Sequence, residues 1–469
     1  MVFASITFLY YFLPGVLFLY FLVPKYLKNL VLLLASLFFY GWGEPKYVFF
    51  MIASIMSGYI SGLLIEVFYN TNKKKQARLV LWGAVVIQLG VLGYFKYVDF
   101  FVENFNTITG LSLPLLKVAL PMGISFYTFQ IISYIVDVYR RQVSPQRNFI
   151  SLAMYIAMFP QLVAGPIVRY QDIERYLAER NGSWQGVALG IRRFIFGLSK
   201  KVLIANTLGE LCEIFRGSND KSVLFFWLYG ISFTLQIYFD FSGYSEMAIG
   251  LGKILGFQFP ENFNYPYISK SVTEFWRRWH MSLGAWFRDY VYIPLGGNRV
   301  SKGRWFLNIL VVWMLTGFWH GAAWNFILWG LLFSILLIIE KIWLLNVLKK
   351  SKVIAHIYLI NVVVISFVIF NATDVKEAFG YIGGMFGVGE FPLVSKEFEY
   401  YLKSYTIVLI IGLVGATPLS KWLADSIRKR ENLKKGMNVI EPFLLVALMM
   451  GVTAYLVGGS FHPFLYFRF

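Results

Sequence analysis

Long apolar runs alternate with short charged interruptions from one end of the chain to the other. Runs cover residues 5–23, 29–42 and 47–69, and a fourth ends near Tyr97. About 20 apolar residues span the bilayer core as a helix, so each of these predicts a crossing, the second a short one. A fifth run covers 115–138. Lys25 and Lys28 follow the first run. Lys73, Lys74, Lys75 and Arg78 follow the third, and Arg140, Arg141 and Arg147 the fifth. The loops between are neutral or acidic, with Asp99 and Glu103 after the fourth. Lys and Arg collect in cytoplasmic loops, so this alternation predicts an extracytoplasmic N-terminus.

The middle of the chain is less regular. Residues 149–165 are apolar but broken by Pro160 and Gly165-Pro166, which predicts a re-entrant or half-buried segment. Arg192, Arg193, Lys200 and Lys201 flank an ambiguous span. The stretch 223–256 is too long for one crossing and contains Asp240 and Glu246. The run 305–345 reads as two spans bent near His320-Gly321. A span to about Phe370 leads to an outside loop, 371–404, and two further spans flank a basic segment, Arg428-Lys429-Arg430 with Lys434-Lys435. The expectation is an all-α polytopic membrane protein with about eleven or twelve transmembrane helices, plus re-entrant and amphipathic helices, in one membrane domain over 1–469.

Composition agrees. Hydrophobic residues are 58% and charged residues 14%, against about 25% charged in a soluble domain. The net charge of +18 would suggest nucleic acid in a soluble protein. Here the basic loops account for it, and no nucleic acid is expected. The single cysteine, Cys212, excludes an intrachain disulfide and a cysteine-cluster metal site. Met1 to Tyr20 lacks a basic leader and a small-residue cleavage site, so it reads as a retained first span. His356 and His462 read as structural.

Two of the four histidines bound a basic, aromatic stretch, 275–320. Ser271-Val272-Thr273-Glu274 fits a capping box. Phe275, Trp279, Leu283, Trp286 and Tyr290 then follow at helical spacing, which predicts one helix up to Pro294. Trp276, Arg277, Arg278 and Arg288 lie off that face. The plainer reading is an interfacial amphipathic helix. The functional reading is a rim in which Arg277, Arg278, Arg288, Arg299, Lys302 and Arg304 hold an anionic substrate through forked, charge-assisted contacts. The two are compatible. His320 ends an apolar run beside Trp319, between Gly317 and Gly321, with Asn325 close behind. An ionisable residue at membrane depth is expensive and points to function. A desolvated imidazole stays in its base form, as a general base facing a hydroxyl requires. A histidine hydrogen-bonded between helices is an equal alternative. Asp240, in an aromatic setting, calls for a partner: a histidine, an arginine or a proton path. No His-Glu-x-x-His, Gly-rich phosphate loop or Gly-x-Ser-x-Gly occurs, so neither a metal nor a covalent serine is indicated.

Phe275-Trp276-Arg277-Arg278-Trp279-His280-Met281-Ser282-Leu283 and Gly317-Phe318-Trp319-His320-Gly321 resemble the two histidine motifs of the membrane-bound O-acyltransferases. Arg288-Asp289-Tyr290-Val291-Tyr292-Ile293-Pro294-Leu295-Gly296-Gly297-Asn298-Arg299 is similar to the bacterial alginate O-acetyltransferase branch. So are Pro121 to Phe129, Phe159 to Ile167, the Asp240 segment and the ending Tyr466-Phe467-Arg468-Phe469.

The resemblance implies a funnel-shaped helical core in a bacterial inner or plasma membrane, with His320 catalytic and His280 and Asp240 beside it. Trp276, Arg277, Arg278, Arg288, Trp319 and Asn325 would serve substrate binding. It implies no tightly bound cofactor, and acetyl-CoA or another acyl thioester as donor. A possible acyl carrier, an extracytoplasmic acetyltransferase partner and a polysaccharide acceptor complete the set. The leading expectation is O-acetylation of an exported polysaccharide. D-alanyl transfer to teichoic acid, and polysaccharide export without chemistry, are the alternatives.

Overall fold

The computed structural model describes residues 1–458 and 465, apart from 44, 163, 164 and 181. Glu44, Val163 and Ala164 of the Phe159 to Ile167 motif, His462, and Tyr466 to Phe469 lie outside the described residues. The described chain is helical, without strands. It packs as two compact units, Met1–Phe194 with Met247–Pro260, and Ile195–Glu246 with Glu261–Phe469.

In the first unit, helices Lys46–Asn70, Lys74–Lys96 and Ile124–Tyr139 pack on one another. Gly58 and Gly62 admit Ile131 and Tyr134, because a Cβ at either position would lie 2.7 or 2.8 Å from those side chains. Gln88 Nε2 donates to Ser54 O at 3.0 Å and to Ser57 Oγ at 2.9 Å, tying two of the helices inside the apolar phase. Helix Lys28–Gly41 packs on Phe149–Ala157. The segment 149–165 is a broken helix: Phe149–Ala157 ends before Pro160, Phe159–Leu162 follows, and residues 151–162 are all buried.

Residues 115–138 do not form one span. The helix begins at Ile124, after a separate helix Val98–Thr109. Pro114 and Pro121 offer no N–H to a helix. The Asp99 carboxylate instead takes the amides of Leu116 and Lys117, at 2.7 and 2.9 Å, and Asn106 Oδ1 takes that of Leu113 at 2.9 Å.

Among the described residues, seven helices are long and apolar enough to cross a membrane: Lys46–Asn70, Lys74–Lys96, Val223–Ile254, Trp324–Leu348, Lys352–Asn371, Lys396–Gly415 and Glu431–Gly458. The expectation from hydropathy is about eleven or twelve spans, counting shorter apolar runs that do not reach this length. The runs at 7–22, 28–41, 124–139 and 149–162 fold as shorter helices. The stretch 223–254, read as too long for one crossing, is a single 32-residue helix. The expected bend near His320 is present: helix Lys302–His320 stops there and Trp324–Ile339 returns against it.

In the second unit that hairpin closes through glycine. A Cβ on Gly317 would sit 2.3 Å from Phe326 O, and one on Gly330 2.4 Å from Trp313 O. Lys352–Asn371 packs on Trp324–Ile339. Phe275, Trp279, Trp329, Phe333, Phe367 and Phe370 fill the space between these elements.

Candidate active site

Residues 271–295 fold around a break. Ser271 Oγ accepts from the Glu274 amide at 3.0 Å, as the capping pattern predicts, but the helix is only Val272–Trp276. His280 has φ +43, a left-handed conformation, and the helix restarts at Met281–Phe287. A non-glycine residue held there is strained and marks a constrained position. The expected continuous helix is therefore two pieces, although the apolar spacing survives. Phe275, Trp279, Leu283 and Trp286 are all buried, inside the protein rather than along an interface.

Asn262 accounts for the break. Its Oδ1 accepts from the Ser282 amide at 3.2 Å and from Ser282 Oγ at 2.9 Å, and it lies 3.1 Å from His280 Nδ1. Asn262 O accepts from the Met281 amide at 3.0 Å, and Asn262 Nδ2 donates to Ser245 Oγ at 3.2 Å. The reversed backbone at His280 turns these donors onto one residue. Phe241 meets the His280 ring edge-on at 4.6 Å between centroids. Burial pushes the His280 imidazolium down to about 3, so the ring is neutral.

Glu340 anchors the start of the segment. Its buried carboxylate accepts from Val272 N at 2.6 Å, Thr273 N at 2.8 Å and Thr273 Oγ1 at 2.7 Å. Negative charge at a helix start satisfies amides that have no partner within the helix. At the far end, Asn308 Nδ2 donates to Leu295 O at 3.2 Å and Gly297 O at 3.0 Å. Gly296, at φ +101, makes that turn possible.

A cavity of about 590 Å³ lies within this frame, lined by Trp276, Arg277, His280, Arg288, Trp313, Thr316 and Lys341 among others. Arg277 and Lys341 are like charges facing one space, which favours an anionic occupant. Arg288 is held by Asp289 at 2.7 and 3.0 Å.

His320 is buried at the end of its helix, one turn beyond the cavity-lining Thr316. Trp329 and Phe370 meet its ring edge-on at 5.3 and 5.2 Å. Trp319 touches both histidines, at 6.1 Å from His280 and 5.0 Å from His320.

The structure thus brings Trp276, Arg277, Arg288 and His280 to one cavity and joins His280 to His320 through Trp319. It engages the remaining expected residues elsewhere. Arg278 bonds Glu274 at 3.0 Å and Asn264 O at 3.2 Å. Asp240 takes Lys201 Nζ at 2.6 Å and the Leu465 amide at 2.9 Å. Its partner is a lysine, one of the residues that flanked the ambiguous span. Asn325 Nδ2 donates to Ala372 O at 2.9 Å, at the end of helix Lys352–Asn371, the helix that carries Phe370. His356 Nδ1 lies 3.2 Å from Ser269 O, a structural contact. Asn262, Ser282, Ser245 and Lys341 were not foreseen. Asn262 sits in an aperiodic loop with no local signal, and Lys341 carries only the general signal of a cation near a span end.

The chain is similar to known proteins. A family model described as MBOAT, membrane-bound O-acyltransferase family, matches residues 47–376. The chain is 37% identical to a probable alginate O-acetylase of Azotobacter vinelandii over the full length of both. It is 42% identical to the Pseudomonas aeruginosa protein of that name, over 84% of this chain and 76% of the other. It is 35% identical to a peptidoglycan O-acetyltransferase of Helicobacter pylori, over 90% and 87% respectively. A match that runs through both compact units and across both histidine motifs makes this chain a member of the membrane-bound O-acyltransferase family.

Proposed function

We propose that this acyltransferase transfers an acetyl group from a cytoplasmic thioester to a hydroxyl destined for an exported polysaccharide, with His320 as general base. The supporting observation is the 590 Å³ cavity, which has cationic walls, His280 in its lining and Trp319 linking that histidine to His320. An anionic acyl donor such as acetyl-CoA fits those charges, with Arg277, Arg288 and Lys341 on its phosphates. His320 then takes the proton of the acceptor hydroxyl as its oxygen attacks the thioester carbonyl. The C–O bond forms, the C–S bond breaks, and the thiolate leaves. A thiolate is a good leaving group, so no strong acid is required at the sulfur. General base catalysis contributes about 10²- to 10⁴-fold.

Identity over nine-tenths or more of this chain to two kinds of O-acetylase supports acetyl over D-alanyl transfer. Those relatives are named for different polymers, alginate and peptidoglycan, so the acceptor class is a polysaccharide hydroxyl. An extracytoplasmic partner protein completes delivery, since the donor is cytoplasmic and the polymer exported. The family match spans both compact units, which supports their working as one catalytic domain. In membranes given radiolabelled acetyl-CoA, His320→Ala should lower transfer to the polymer by about a hundredfold or more at matched protein level. Full transfer by His320→Gln would refute the assignment.

A further inference from the structure

We propose that helix Leu419–Arg428 lies in the plane of the membrane surface, its apolar side among the lipids, and that the basic segment running on from it holds the headgroups of anionic phospholipids. These residues lie outside 47–376, the part of the chain that matches the family model, so the inference is independent of the active-site assignment.

The helix connects two of the membrane-crossing helices, Lys396–Gly415 and Glu431–Gly458. Both of its ends are therefore tethered at a bilayer surface. Leu419, Trp422, Leu423 and Ile427 follow the spacing i, i+3, i+4, i+8 and share one side. Lys421, Ala424 and Arg428 share the other. A helix that packs its apolar side on its own protein buries that side. Here no residue of the helix is buried, and Leu419, Trp422 and Leu423 are 44%, 63% and 47% exposed. Such a helix, with tryptophan on one side and cations on the other, sinks its apolar side into the boundary between headgroups and acyl chains. The two tethers hold it at that boundary, which favours lipid over a soluble protein as the occupant. A loop that is basic only to orient its spans needs no apolar side.

Charge selects the lipid. Residues 419–435 carry Lys421, Arg428, Lys429, Arg430, Lys434 and Lys435 against Asp425 and Glu431. Arg428 Nη2 lies 3.6 Å from Glu441 Oε2, which ties the helix to the span that follows. Lys429, Arg430, Lys434 and Lys435 are exposed. Clusters of about four to eight such cations beside a span attract anionic lipid, each adding about fivefold in affinity.

The test places a fluorescent label on Leu423→Cys or Ala424→Cys in a Cys212→Ala background, with the full chain reconstituted in phosphatidylcholine bilayers. Three quenchers are compared: acrylamide in the water, and trace phosphatidylcholine or phosphatidylglycerol carrying a nitroxide near the headgroup. The Leu423→Cys label should be quenched by the lipids and spared by acrylamide, and the Ala424→Cys label the reverse. Nitroxide phosphatidylglycerol should quench the Leu423→Cys label several-fold more than nitroxide phosphatidylcholine. That excess should fall at least about fivefold when Lys429, Arg430, Lys434 and Lys435 are all changed to Gln. Should that variant not fold, high salt on the parent replaces it, because screening removes the same attraction. A Leu423→Cys label quenched by acrylamide and not by lipid overturns the proposal and leaves the helix as a docking face for a soluble partner. Equal quenching by the two lipids, or an excess that survives both the Gln changes and salt, overturns the anionic recognition.

Discussion

Lys201 and Asp240 form an ion pair taken out of water, with side chains 6% and 1% exposed. Removing one partner of such a pair costs about 3–5 kcal/mol, because the other charge is left buried, whereas replacing both with apolar residues is often neutral. Lys201→Met should therefore sharply reduce thermal stability of the solubilised protein, and Lys201→Met with Asp240→Leu should restore much of it. An unimproved double variant would show that the carboxylate's bond to the Leu465 amide, rather than the pair, is what matters. Asp240 was legible as an acid that needed a partner. The identity of the partner was not, because Lys201 lies on another helix and no sequence spacing links the two. The same limit applies to Asn262. Its importance comes from the φ +43 backbone at His280, a conformation that apolar periodicity does not encode.

At the scale of elements, the position of His320 depends on the hairpin of Lys302–His320 and Trp324–Ile339. Gly317 and Gly330 face each other across it, with the added Cβ of either 3.3 Å from the other's Cα. Small residues let membrane helices approach closely. Gly317→Val should push the helices apart and displace His320, abolishing transfer and lowering yield, while Gly303→Ala, where a Cβ meets nothing, should change little. Equal transfer by the two variants would contradict this account. The hairpin itself was legible, since a run too long for one crossing carried a glycine and a histidine at its midpoint. The broken segment after Ser271 was not. Phe275, Trp279, Leu283 and Trp286 keep helical spacing on both sides of the break, so periodicity alone reads one helix. Residues 115–120 failed for a different reason: they are mostly apolar, but Asp99 takes the amides of Leu116 and Lys117 that a helix would otherwise have to satisfy.

For the whole molecule, hydropathy located the long helices to within a few residues, but it gave shorter apolar helices the same standing, because a buried apolar helix and a lipid-facing one have the same composition. Loop charge supports a proposed orientation with the N-terminus outside. Cys212 is buried, so cysteines introduced on a Cys212→Ala background at Lys74 and Thr373 test it. Impermeant maleimide on intact cells should label Thr373→Cys and spare Lys74→Cys, and the reverse pattern would invert the topology. The cationic cavity predicts that Lys341→Met with Arg277→Gln raises the donor KM at least tenfold with little change in kcat. The difference should shrink as salt rises, since screening weakens the attraction that was lost. An unchanged KM would remove these residues from donor binding.

The most direct measurement is the O-acetyl content of the exported polysaccharide from cells carrying wild type or His320→Ala at equal membrane levels. Acyl transfer at His320 predicts that the polymer is still secreted but loses its acetyl esters. Normal acetyl content on polymer secreted from the His320→Ala cells would contradict it.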